Sequence, residues 1–251
     1  MPLMKGKIAI VTGAAQGIGA RLALGIALES AKVIVADILD GNEIVEKIRA
    51  QGGEAEFIRT DVTDDASCEA MVDLAHSAFG GIDVLVNNAA LFGTLPLTSL
   101  DKITLQDWDR VLQVNTRGVW QCVKAVTPSM IRRGGGSIVN VATNRVFKGF
   151  PNLLHYDASK GAVLSMTKAM AAELGDSNIR VNAVAPGLTM SENVLAKEGI
   201  GDRINSVING RALKREQRPE DLIGPVLFLA SELSAFVSGQ SLVVDGGGIM
   251  R

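Results

Sequence analysis

Cysteine is nearly absent: Cys68 and Cys122 are the two in 251 residues, and neither stands at a metal-ligand spacing. So few cysteines exclude a disulfide framework and fit the reducing compartment of a cytoplasmic protein. Histidine is equally scarce, and His76 and His155 are too few for a histidine-based metal site. No run approaches the ~18 apolar residues of a membrane span, so none is expected. The opening MPLMKGKIAIVTG has basic residues ahead of an apolar run, but a glycine loop follows it instead of a cleavage site. It reads as a first strand, not a signal peptide. The net charge is −2 with no basic stripe, which sets nucleic-acid readers aside. Tyrosine is reduced to one, Tyr156, so any phenol chemistry falls to that residue.

What is present belongs to a globular chain: 47% hydrophobic and 21% charged residues. The length suits a single domain near its upper limit. Mean hydropathy is slightly positive, which fits either subunit contacts or a large α/β core.

Short β-branched runs alternate with helical patterns. Strands are expected at Lys7–Val11, Lys32–Asp37, Glu54–Arg59, Asp83–Asn87, Ser137–Ala142, Ile179–Val184 and Ser241–Asp245. Most are almost continuously apolar, as in a parallel sheet covered on both faces. Helices are expected near Ile18–Glu29, Asn42–Ala50, Ala66–Phe79, Leu105–Arg132, His155–Gly175 and Glu220–Ser231. This alternation implies an α/β fold, a single-domain, Rossmann-like, doubly wound parallel sheet of seven strands spanning 1–251. The least regular stretch, Thr189–Arg218, holds Gly199, Gly201 and Gly210 among charged residues. It follows a strand end, where ligands bind in open sheets. A substrate lid, about 188–218, and an ordinary surface excursion are both open readings.

The first strand runs into Thr12-Gly13-Ala14-Ala15-Gln16-Gly17-Ile18-Gly19, and a helix pattern begins at once. Glycines there let backbone N–H groups approach a pyrophosphate, and the helix N-terminus adds partial positive charge. The spacing is G-x-x-x-G-x-G, not G-x-G-x-x-G. The second strand ends at Asp37. A carboxylate there accepts from adenosine ribose hydroxyls and repels a 2′-phosphate. Gln16 is neutral where a cation would help NADP, so NAD is the expected cofactor.

Tyr156 and Lys160 are four apart on an expected helix and share a face. A phenol pKa of ~10 is too high for a base near neutrality. An ammonium ~4 Å away, at an effective dielectric of ~20, attracts phenolate by ~4 kcal/mol, or ~3 pKa units. Burial opposes this by disfavouring both charges. Alone, Y-x-x-x-K is also a common surface pair.

TGAAQGIG at 12–19, NNAA at 87–90, Asn115, YDASK at 156–160 and PG at 186–187 together resemble the short-chain dehydrogenase/reductase family, over about residues 5 to 248. The resemblance implies strand order 3-2-1-4-5-6-7 and a tyrosine-based hydride-transfer site. It makes Tyr156, Lys160, Thr143 and Asn115 the catalytic set, with Asn115 holding a water in a relay to Lys160. Gly13, Gln16, Gly17, Ile18, Gly19, Asp37, Asn88, Pro186 and Gly187 would shape the cofactor site. Asp61 and Val62 would hold adenine, Lys160 the nicotinamide ribose, and Thr189 the carboxamide through its backbone. Ser191 stands where a threonine is common. The family implies a homo-oligomer, most often a tetramer, acting on a small-molecule alcohol or carbonyl compound.

Two departures stand out. NNAA replaces NNAG, so Ala90 adds a methyl near the cofactor. The catalytic serine position, thirteen residues before Tyr156, is Thr143. Threonine keeps a hydroxyl able to donate to a developing alkoxide, while its extra methyl restricts χ1 and narrows the pocket. The alternative is a weakly catalytic, cofactor-sensing binding protein, with Thr143 as its only support. A methyltransferase-like Rossmann enzyme would share the glycine turn without needing Y-x-x-x-K. Phe92, Phe147, Phe150, Leu153 and Met190 are expected to line an apolar substrate pocket. Arg145 and Lys148 are read either as partners for an anionic substrate or as solvated rim charges. The stretch Thr143–Pro151 resembles that of family members acting on secondary benzylic alcohols or on pyridoxal, which implies a secondary alcohol, aromatic or cyclic among the options; sugar alcohols, hydroxysteroids and 3-oxoacyl thioesters stay open.

Overall fold

The computed structural model describes residues 2–196 and 200–250; Gly199 of the expected lid lies outside them. In chain order the elements are β1 (Ile8–Thr12), α1 (Gly17–Leu28), β2 (Lys32–Asp37), α2 (Asn42–Ala50), β3 (Glu54–Arg59), α3 (Asp65–Phe79), β4 (Val84–Asn87), α4 (Leu105–Leu112), a π-turn (Gln113–Arg117), α5 (Gly118–Arg132) and β5 (Gly136–Val141). There follow α6 (Arg145–Lys148), α7 (Leu154–Leu174), β6 (Ile179–Pro186), α8 (Glu192–Leu195), α9 (Ile200–Asn209), α10 (Ile223–Ala230) and β7 (Ser241–Val244).

The strands form one sheet in the order β3-β2-β1-β4-β5-β6-β7, and every pairing is parallel. Successive strand residues supply opposite faces. Ala9, Val11, Val33, Val35, Val84, Val86, Val139 and Val141 pack in one layer with residues of α1, α2 and α10. Ile10, Ile34, Leu85 and Ile138 pack in the other with residues of α3, α5 and α7. That double covering is why the strands read as unbroken apolar runs. Strand order reverses between β1 and β4, so a crevice opens above their carboxyl ends.

The expected helix Leu105–Arg132 is interrupted by the π-turn at Gln113–Arg117. The residues expected as helix start Glu220–Leu222 belong instead to a 3₁₀ turn, Pro219–Leu222, ahead of α10. Within the irregular stretch, α8 and α9 are ordered helices. The α9 sequence places Ile200, Ile204, Val207 and Ile208 at helical spacing, a signal that its glycine and asparagines obscured.

Candidate active site

A cleft of about 900 Å³ runs along the carboxyl ends of β1, β2, β4, β5 and β6, near the top of the ~300–1,000 Å³ range of cofactor and ligand pockets. Gly13, Gln16, Gly17 and Ile18 line it at the β1–α1 turn. Gly13 and Gly17 have φ of +64° and +58°, favoured by glycine. A Cβ on Gly19 would fall 2.0 Å from the Gly13 carbonyl oxygen, so the turn closes only with glycine there. Gln16 provides no side-chain cap to α1, which leaves the helix N-terminus to an anionic ligand.

Asn88 clamps this turn. Its Nδ2 donates to the carbonyls of Thr12 (3.0 Å) and Gly13 (2.9 Å). The Thr12 hydroxyl accepts from the backbone of Asn88 and Ala89, each at 3.1 Å; sequence reasoning gave Thr12 no role. Ala90 is exposed and lines the cleft. Buried Asp37 accepts from Ala15 N (2.9 Å) and Leu39 N (3.0 Å), so its carboxylate is aimed by the backbone. Asp61 and Val62 line the same end. No lysine or arginine stands among the described lining residues from Gly13 to Thr63.

At the other side of the cleft the β6 extension contributes Pro186, Gly187, Thr189 and Ser191. The Thr189 hydroxyl donates to the Gly187 carbonyl (3.1 Å). A Cβ on Gly17 would touch Ser191 Cβ at 3.5 Å, so this loop closes over the glycine turn.

Thr143 follows β5, and Tyr156 and Lys160 stand in the first turns of α7; all three are buried and line the cleft. The Thr143 hydroxyl stands against the Tyr156 phenol and favours phenolate, but burial is the larger effect and pushes the phenol above its ordinary value. The attraction to Lys160 estimated from spacing does not prevail. Burial also pulls the Lys160 ammonium down to about 8, and its Nζ donates to the Val141 carbonyl at 2.6 Å. The Tyr156 ring packs on Phe92 with centroids 4.8 Å apart, beside Leu95, Val111 and Leu153.

Asn115 lies in the π-turn, fully buried and behind the cleft. Its Oδ1 accepts from Leu91 N (2.7 Å), and its Nδ2 donates to Leu91 O (3.2 Å) and Ser159 Oγ (3.1 Å). Ser159 in turn donates to the Tyr156 carbonyl (2.7 Å). The π-turn, a feature frequent at functional sites, thus fastens the β4 loop to the first turn of α7.

Of the expected substrate residues, Phe92, Phe150 and Leu153 line the cleft. Phe147 does not; it packs with Val119, Ala142 and Val163. Met190 is buried outside the lining, and its backbone N–H donates to the Gln217 carbonyl. Arg145 lines the cleft but is buried, not a rim charge, and its Nε and Nη2 are held by Asp157. Lys148 is the exposed one, over the Phe150 ring. Leu95 and Val194 line the cleft within the stretches Leu91–Leu95 and Met190–Leu195 expected to form the pocket, and Val207 lines it from outside them.

Residues 13–248 match the family model described as Enoyl-(Acyl carrier protein) reductase. An uncharacterized oxidoreductase of Mycobacterium tuberculosis is 42% identical over 98% of both chains. A 3-alpha-(or 20-beta)-hydroxysteroid dehydrogenase of Mycobacterium bovis is 38% identical over 96% of this chain and 89% of its own. The solved structure of a short-chain type dehydrogenase/reductase from Mycobacterium marinum superposes with a TM-score of 0.91 at 34% identity, covering 99% of this chain and 97% of that one. With its sheet order, its cleft and these matches, the chain belongs to the short-chain dehydrogenase/reductase family and is an oxidoreductase.

Proposed function

We propose that this oxidoreductase uses NAD(H) to interconvert a secondary alcohol and its carbonyl compound. The observation that carries the reading is the buried Thr143–Tyr156 hydroxyl pair, with Lys160 beside it, in the cleft that also holds the glycine turn and Asp37. Asp37 and Thr143 are three strand positions apart, β2 to β5, roughly 14 Å at ~4.8 Å per strand, so an extended dinucleotide is needed to join them.

The residues present fit that cofactor. The uncapped start of α1 takes the pyrophosphate, Asp37 the ribose hydroxyls, and Asp61 and Val62 the adenine. Lys160 holds the second ribose, and the Thr189 backbone and Ser191 face the carboxamide end. NAD, when bound, supplies the nicotinamide carbon that accepts or returns hydride. In oxidation, Tyr156 Oη takes the substrate hydroxyl proton; in reduction it gives that proton back. Thr143 donates to the substrate oxygen, which enters between the two hydroxyls. Lys160, mostly ammonium at neutral pH, opposes the burial that holds the phenol protonated and hands the proton on; Asn115, its side chain committed to Leu91 and Ser159, anchors the relay water through its backbone. Because Arg145 is neutralised by Asp157 and Phe92, Phe150 and Leu153 form the wall, the favoured substrate is uncharged and aromatic or cyclic.

The test is a panel of secondary alcohols with NAD and with NADP, run on the native protein and on Tyr156→Phe. Turnover is expected with NAD, weaker with NADP, and absent in Tyr156→Phe while NADH still binds. Full activity in that variant would remove the phenol from the reaction.

A further inference from the structure

Arg145 and Asp157 face each other across the loop that joins the Thr143 turn to α7. Arg145 is two residues after Thr143, and Asp157 is one after Tyr156. The bridge is two-pronged: Nε donates to Oδ1 at 2.6 Å and Nη2 to Oδ2 at 2.9 Å. Its side chains are 8% and 17% exposed, whereas each other described ion pair has at least one side chain 33% or more open to water. The same guanidinium donates to the carbonyls of Phe150 (3.2 Å) and Pro151 (3.4 Å) and lies 5.1 Å from the Phe150 ring centre. The Arg145 backbone N–H donates to the Thr143 hydroxyl at 3.3 Å. One charged group therefore ties three segments: the turn bearing Thr143, the loop bearing Phe150, and the first turn of α7. That loop turns back through positive φ at Gly149 and Asn152 (both +70°).

We propose that Arg145 and Asp157 are a positioning pair whose buried bridge sets the separation of the Thr143 and Tyr156 hydroxyls. The proposal rests on the reaction assigned above for its kinetic consequence, though not for its geometry. Neither residue needs to touch the reacting atoms. A planar guanidinium gripped by both carboxylate oxygens fixes direction as well as distance, which lysine would not do. An error of ~1 Å between reacting groups costs on the order of a hundredfold in rate.

Removing one partner would strand a buried charge, so the variant to make is Arg145→Met/Asp157→Leu, which keeps bulk and removes both charges. Because Tyr156 is the sole tyrosine, isotope-labelled tyrosine gives a single NMR resonance for the hydroxyl-bearing ring carbon, and Thr143→Val marks its position without the Thr143 hydroxyl. In the double variant the resonance is expected to move toward the Thr143→Val position. Its kcat is expected to fall about tenfold or more, while the KM for NADH changes by less than about twofold. A resonance left at the native position would overturn the proposal, as would a shifted resonance with native kcat. If the native protein turns over nothing with NAD(H), the assigned reaction fails instead, and the tyrosine resonance still decides the pair.

Discussion

Thr143 stands where the family resemblance expects serine, its hydroxyl against a phenol that burial holds above its ordinary pKa. Threonine keeps the hydroxyl of serine and adds one methyl that restricts χ1. Thr143→Ser is therefore expected to keep activity, and the isosteric Thr143→Val to lose at least about tenfold in kcat/KM. Equal rates for the two would show that the hydroxyl plays no part. Tyr156 and Lys160 were legible because a four-residue spacing on a helix is local geometry. Arg145 was misread because its partner, Asp157, is twelve positions away and meets it only after the intervening loop folds back. Phe147 and Met190 were misplaced for a related reason: proximity in sequence to Thr143 or Pro186 says nothing about which way a side chain turns.

At the scale of elements, the β1–α1 turn was readable because each glycine there answers a backbone requirement. The Gly19 position leaves no room for a methyl against the Gly13 carbonyl. Gly19→Ala is expected to cost about 1–3 kcal/mol of stability and to weaken NADH binding, measured by denaturant titration and by tryptophan-to-NADH energy transfer. Native values of both would mean that the turn opens without penalty. The π-turn at Gln113–Arg117 was not readable. Its residues suit an α-helix, and the extra backbone width goes with side-chain bonds from Asn115 to Leu91 and Ser159, contacts from distant parts of the chain. The 3₁₀ start at Pro219 follows from proline, which lacks an N–H and suits a first helical turn.

Across the whole molecule, exposed apolar side chains occur on many elements. Leu105, Trp120 and Ile131, on α4 and α5, are 78%, 48% and 49% exposed, and Phe236 near β7 is fully exposed. Such residues are commonly covered by subunit contacts. The expected homo-oligomer, with a tetramer favoured, is checked by sedimentation equilibrium; a monomer at micromolar concentration would refute it. Sequence alone determined the alternation of strands and helices, the glycine turn, Asp37 at a strand end and the Tyr156/Lys160 spacing, because each is written in a repeat of two, a repeat of near four, or a short backbone constraint. Only the tertiary structure decided that Asp157 neutralises Arg145, that Asn115 sits in a π-turn, and that Phe150 but not Phe147 faces the cleft. Those outcomes depend on loop closure and on competition among buried polar groups for partners, and neither has a local signature in the chain.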